Sequence, residues 1–320
     1  MVLFINFEKN IKKMNVKLIS LRILSVMLGL FFIFSAYVKL FPIEILEISI
    51  VETGLVGWTL APIFARLLLA SEFALGVFLI MNIKPKLVNI FVMLSLLVFS
   101  IYLSIILIFQ GNSVNCNCFG LFMIMNPFES ILKNILMIAL SVLLYFKNTA
   151  VDYKKDWLVI GVGAVLVSSI PFIINPPVFD KSKFGYEIEE PYLMDLSVVY
   201  DDVEVQQPKI DLREGKHLIG FYSYNCQHCI VVAYSLQLIS KRNPDLSFYF
   251  FINGDEEDIK EFHNLTKSEH VPHSILLAQP FVMLAGNRFP AVFLVEDSYV
   301  QERIHPAAVD EKMILEWFER

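Results

Sequence analysis

The chain has 320 residues, 56% of them apolar and 18% charged, with a net charge of −6 and a mean hydropathy of +0.60. Globular domains are usually about one-quarter charged, so this composition excludes a disordered chain, a collagen-like repeat and a nucleic-acid binder built on bulk positive charge. The charge is unevenly divided: residues 1–176 carry 13 Lys/Arg and 8 Asp/Glu, whereas residues 177–320 carry 13 and 24. Two unlike surroundings are implied. The four cysteines are divided as well, into Cys116/Cys118 and Cys226/Cys229. They are too few to staple a chain of this size, and close pairs point to redox or metal chemistry.

A bilayer core about 30 Å thick needs roughly 20 apolar residues in a helix. Five spans are predicted, near 21–41, 61–82, 87–109, 130–147 and 157–175. The first is bounded by Arg22 and Lys39, which are expected to snorkel and lengthen it. The second contains Arg66, expected to snorkel outward, and Glu72, nearer mid-membrane. A carboxylate there is costly and is either paired or functional, so Arg66 and Glu72 form a candidate intramembrane polar site with a structural, proton-handling or quinone role. The fourth span carries Lys133. Gly161-Val162-Gly163 lies inside an apolar run with no preceding strand, which favours helix packing over a nucleotide loop.

Short loops rich in Lys and Arg face the cytoplasm. Lys9, Lys12, Lys13, Lys17 and Arg22 precede or open the first span, Lys84 and Lys86 follow the second, and Lys147, Lys154 and Lys155 follow the fourth. The alternate loops, 42–60 and 110–129, contain neither residue type. The N-terminus is therefore expected in the cytoplasm, with the acidic segment 177–320 exported on the same side as Cys116 and Cys118. The first apolar run has no clear A-x-A site and is expected to be retained as an anchor.

Beyond residue 208 the pattern becomes that of an α/β domain. Lys216–Tyr224 and Leu246–Ile252 are predicted as buried strands, and Ile230–Arg242 and Asp255–Lys267 as helices. Ser274–Leu277 is a short strand and Phe281–Ala285 a short helix. Ala291–Val295 and Tyr299–Ile304 form a hairpin, closed by a helix over Val309–Phe318. About 110 residues in this order can hold a core of their own.

Asn225-Cys226-Gln227-His228-Cys229 falls where the first of these strands meets its helix. A cysteine at a helix N-terminus sees the positive end of the dipole and free N–H groups, so its thiolate is favoured. The second cysteine lies one turn on and can close a disulfide. Cys226 is thus the expected attacking thiol and Cys229 the resolving one, with His228 supporting the thiolate. Pro290, just before a strand, suggests a turn with a cis bond.

Strand, C-x-x-C, helix, then a strand-initiating proline before a hairpin and a last helix resembles the thioredoxin-like fold over about 209–320. The resemblance makes Cys226 and Cys229 the redox pair and Phe289-Pro290 the cis-proline site that helps bind substrate chain. Asn225 stands where thioredoxin itself has tryptophan, and Gly220 where a buried acid often assists proton transfer. Gln227-His228 resembles the dipeptide of oxidising relatives, without their proline. In the first part, Arg22 through Phe34-Ser35-Ala36 to Lys39-Leu40, with Glu72-Phe73-Ala74-Leu75-Gly76, resembles the DoxX-like and MauE membrane families. Cys116-Asn117-Cys118-Phe119-Gly120 is similar to the C-x-C-F-G loop of MauE-type proteins.

The expected architecture is an all-α transmembrane bundle followed by an α/β thioredoxin-like domain. Residues 1–20 form a cytoplasmic N-terminus, 21–147 a four-helix membrane domain, 157–175 a fifth transmembrane helix, 176–208 a linker and leading segment, and 209–320 the thioredoxin-like domain. Cys116 and Cys118 would form a small strained ring, a more oxidising disulfide able to exchange electrons with the tethered domain. A loop staple and a copper(I) site drawing on Met123 and Met125 are the other readings of this pair. For Cys226/Cys229 the others are a structural disulfide or zinc with His270 and His273. The expected function is a membrane-anchored thiol–disulfide oxidoreductase of a bacterial inner membrane, with its redox domain in the periplasm. Its cofactors would be its own redox-active disulfides, with a quinone or copper as the further candidates. Its partners would be the lipid bilayer and exported thiol or disulfide proteins, with electrons also passing within the chain. The rival is a copper-handling or metalloprotein-assembly protein.

Overall fold

A computed structural model describes residues 16–109, 111–112, 115–148, 156–178, 190–201, 207–286 and 288–320. Lys9, Lys12, Lys13, Lys154 and Lys155, and much of the expected linker, lie outside the described residues. The chain divides into two compact units, 1–47 with 60–177 and 48–59 with 178–320.

The first unit is helical: α1 (Val16–Leu40), the start of α2 (Glu44–Glu52), α3 (Ala61–Met81), α4 (Pro85–Phe109), α5 (Pro127–Lys147) and α6 (Asp156–Ile174). Among the described residues, all but α2 are long and apolar enough to cross a membrane, which makes five. The sequence does not reveal α2, whose residues fall in an expected loop. α1 and α3 approach closely at two glycines: a Cβ on Gly29 would lie 2.6 Å from the Gly76 carbonyl oxygen, and one on Gly76 2.7 Å from Ile33. Neither position has room for a side chain, as expected where small residues let backbones meet in lipid.

Two cations expected to snorkel do not. Lys39 is 5% exposed, and its Nζ lies 2.6 Å from Glu72 Oε1. Arg66 is 3% exposed and is held by Glu47 Oε1 at 2.6 Å and by the carbonyls of Pro62, Asn175 and Pro176. An internal carboxylate and free carbonyls replace water at these charges, so the side chains turn inward. α5 opens with a capping box, Asn126 Oδ1 accepting from Glu129 N–H and Glu129 from Asn126 N–H.

The second unit is built on a six-stranded sheet. Its elements are β1 (Tyr192–Leu193), α7 (Ser197–Tyr200), β2 (Lys216–Ser223), α8 (Gln227–Arg242), β3 (Phe248–Asn253), α9 (Glu256–Thr266), β4 (His273–Ile275), α10 (Ala278–Ala285), β5 (Ala291–Glu296), β6 (Tyr299–Ile304) and α11 (Glu311–Glu319). The strand order is β1-β6-β5-β2-β3-β4. β2, β3 and β4 run parallel, and β5, β6 and β1 pair antiparallel. This mixed sheet with its helices is the thioredoxin-like fold that the sequence implies.

Central β2 is buried on both faces. Ile219 and Phe221 join a core with Tyr249, Phe251, Phe281 and Phe293. On the opposite face Tyr222 meets Phe250 and Phe262 at ring-centroid distances of 4.9 and 5.9 Å. Residues 48–59 belong to this unit through specific contacts. Glu52 Oε2 accepts from Tyr234 Oη at 2.7 Å and from Lys267 Nζ at 2.6 Å. Trp58 Nε1 donates to Glu311, and Arg242 to the Val51 carbonyl.

Candidate functional site: two thiol pairs

Cys226 is the N-cap residue of α8, with extended backbone angles. At this position a side-chain acceptor meets the first unpaired N–H groups of the helix. The Cys229 amide N–H accordingly donates to Cys226 Sγ at 3.3 Å. Cys226 is half-buried and Cys229 is fully buried, and both are free thiols. The Cys229 thiol donates to the Cys226 sulfur, which brings the Cys226 pKa down to about 6 against the opposing effect of burial. The Cys229 amide and the charge of His228 add to the lowering. The same hydrogen bond, together with burial, pushes Cys229 well up. One sulfur is thus a ready nucleophile and the other a protonated donor behind it.

The structure also places three further residues. The peptide bond Phe289–Pro290 is cis. Asn225 Oδ1 accepts from the Ser223 hydroxyl at 3.0 Å. Beneath the pair, Tyr222 Oη occupies the space that any side chain at Gly220 would need. That hydroxyl is buried with no hydrogen-bond partner among the described residues. Burial and the nearby Cys229 sulfur push its pKa well up. The sequence gives no cue to Tyr222 beyond Gly220 two positions earlier. His273 does not turn to the cysteines; its Nε2 lies 3.2 Å from that of His263.

The second pair sits in the loop between α4 and α5. Asn117 has φ of 52°, a left-handed conformation that asparagine tolerates, and Gly120 has φ of 56°. A Cβ at Gly120 would also stand 3.0 Å from the Val38 carbonyl, so the loop can lie against the end of α1 only with glycine there. The left-handed turn at Asn117 folds Cys118 N–H back toward Cys116 Sγ at 3.4 Å. Ser130 Oγ of α5 lies 3.0 Å from the same sulfur. Cys116 is buried, Cys118 is partly exposed, and both thiols are free. A hydrogen bond from the Cys118 thiol, then Ser130, the Cys118 amide and the Lys133 charge, bring Cys116 down to about 6 despite burial. Cys118 moves up for the converse reason and through its own burial.

The structure separates the two residues of the expected intramembrane site. Arg66 pairs with Glu47, whereas Glu72 pairs with Lys39 and lines a cavity that also receives Cys118, Lys133 and Asn134. Lys133 Nζ stands over the Phe119 ring at 4.5 Å. Ser130 and Lys133 do not stand out in the sequence as partners of the loop. Their positions three and six residues into α5 put them one turn apart on one face, a signal that acquires meaning only once the loop is known to lie against that face.

Residues 17–147 match the family model described as methylamine utilisation protein MauE. Protein TlpB of Flavobacterium psychrophilum is 28% identical over 307 aligned positions, covering 80% of this chain and 82% of that protein. Two solved structures are similar in fold. One is a secreted Mycobacterium tuberculosis disulfide oxidoreductase, at 17% identity and TM-score 0.29, over 34% of this chain and 83% of that one. The other is the thioredoxin domain of a thiol-disulfide oxidoreductase from Bacteroides vulgatus, at 16% identity and TM-score 0.28, over 33% and 81%. The chain is a multi-pass membrane protein with a MauE-like membrane domain, a thioredoxin-like domain and a bacterial relative along most of its length.

Proposed function

We propose that the protein is a membrane-anchored thiol–disulfide oxidoreductase that takes electrons from exported protein thiols. The observation that carries this reading is Cys226 as helix cap, a half-buried sulfur receiving the Cys229 thiol and amide. In the oxidised enzyme, a substrate thiolate attacks Cys226 Sγ, the Cys226–Cys229 bond breaks, and Cys229 leaves and takes up a proton. A second substrate thiolate then attacks the substrate sulfur of the mixed disulfide. Substrate departs as a disulfide, and Cys226 remains as the thiolate that its surroundings favour. Pro290 belongs to this site by resemblance, as a binder of substrate chain.

The Cys116/Cys118 pair is the next acceptor in this reading. The Cys226 thiolate attacks its disulfide at Cys118, and Cys116 leaves as a thiolate stabilised by Ser130, the Cys118 amide and the Lys133 charge. A leaving thiol of lower pKa departs faster. Cys229 then attacks Cys226, and the membrane pair is left reduced. The distribution of Lys and Arg among the short loops supports an inner-membrane orientation with both pairs on the periplasmic side.

Trapping with Cys229→Ala in intact cells tests the reading. Stalled mixed disulfides on Cys226 with exported proteins, or with the Cys116/Cys118 loop, are the expected result. Failure of either to form, with one copper bound per chain and lost in Cys116→Ser/Cys118→Ser, would instead favour a copper-handling protein.

A further inference from the structure

The membrane unit contains a cavity lined by Phe31, Lys39, Glu72, Phe99, Cys118 and Lys133, among others. Its wall is more polar than bundle packing requires. Lys39 and Glu72 are paired at 2.6 Å with each side chain about 95% buried, yet Glu72 Oε2 has no partner among the described residues. Lys133 stands over Phe119 and Phe31 and has no ion pair among the described residues. The wall thus carries two lysines and one carboxylate, paired with only one of them and with an oxygen to spare, beside a thiol and between aromatic rings. A buried carboxylate oxygen left unpaired is costly and is expected to meet a donor.

We propose that this cavity is a quinone site at which the reduced Cys116/Cys118 pair is reoxidised. The inference rests on the reading of that pair as redox-active. A lipid-soluble quinone presents carbonyl oxygens, which accept from Lys39 or Lys133. Its reduced form presents hydroxyls, one of which donates to Glu72 Oε2. The wall therefore offers a matching group to each redox state. In the reaction the Cys116–Cys118 sulfur–sulfur bond forms, and the two thiols release two electrons and two protons. The quinone takes up both pairs and leaves as the quinol, with Glu72 and the lysines holding the protons in transit. The free volume is about 40 Å³. That is the room of a few waters, so a quinone would enter by one carbonyl edge alone, with its ring toward the side where Phe31, Ser95 and Phe99 are themselves partly exposed.

The test uses full-length protein in detergent with Cys226→Ser/Cys229→Ser, so that only the loop pair titrates. After reduction and removal of reductant under anaerobic conditions, decylubiquinone is added; its ring is fully substituted, which blocks thiol addition. Quinol absorbance and loss of maleimide-reactive thiols are followed together. One quinol per chain is expected, with the rate falling at least tenfold in Lys133→Met and in Lys39→Met/Glu72→Gln. The second variant removes both partners of the ion pair, so that no unpaired charge is left buried. Each rate is taken relative to oxidation of the same variant by glutathione disulfide, because the Lys133 charge also acts on the Cys116 thiolate. Normal oxidation by glutathione disulfide with no quinol formed overturns the quinone site while leaving the redox pair intact. Quinol formed at an unchanged rate in both variants overturns this cavity as its place. A pair that neither oxidant closes overturns the underlying reading of Cys116/Cys118.

Discussion

The two thiol pairs reach the same electronic asymmetry by different local structures. At Cys226 a helix start supplies the N–H group, three residues on, at 3.3 Å from the sulfur. At Cys116 a left-handed asparagine supplies one two residues on, at 3.4 Å. In both, the second thiol donates to the first, the first falls to about 6 and the second rises. The surroundings differ: His228 is next to Cys229 in sequence, whereas Ser130 and Lys133 reach Cys116 from another element. A helix terminus builds a reactive thiol from contiguous sequence, while a loop must borrow its partners from the surface it lies on.

The comparison can be broken most severely by serine substitution. Cys226→Ser is expected to abolish oxidation of protein thiols, while leaving the membrane pair oxidisable by small disulfides. Cys116→Ser/Cys118→Ser is expected to slow steady turnover at least tenfold and to leave Cys226/Cys229 reduced, read by thiol alkylation on gels. Full turnover in that variant would reduce the loop pair to a staple.

The two pairs are next separated by pH. Alkylation follows the thiolate, so for both first cysteines the rate should climb from acid pH and level off above about 6, whereas an unperturbed thiol levels off only above about 9. Ser130→Ala removes one hydrogen bond to the Cys116 thiolate and should move its midpoint upward by about half to one unit, leaving Cys226 unchanged. His228→Ala should raise the Cys226 midpoint by less, because the hydrogen bond and amide from Cys229 remain. An equal response of both cysteines to either variant would mean that the pairs are not independently tuned.

The membrane bundle is legible because twenty-residue apolar runs have few other uses, and the α/β unit because buried strands and periodic helices alternate. α2 is not, because Glu44, Glu47 and Glu52 interrupt a nine-residue helix too short to show a face. The charges are the least legible part. Lys39 and Glu72 are 33 positions apart, and a cation near a span end reads as a snorkelling residue until the partner that outcompetes the interface is known. Cys226 and Cys229 stand out because a strand, a C-x-x-C and a helix are contiguous. Tyr222 does not, because its hydroxyl reaches the site only through space left by Gly220.

The role of Cys226 as helix cap makes one sulfur a structural and a chemical group at once. When that sulfur enters a disulfide it loses its charge, and the Cys229 amide is left with a weaker acceptor. The first turn of α8 should therefore breathe more in the oxidised chain than in the reduced one, with faster deuterium uptake at the Cys229 amide. Electrons stored in the thiol pair would be written into the firmness of a helix end, where a protein surface could read them without touching sulfur.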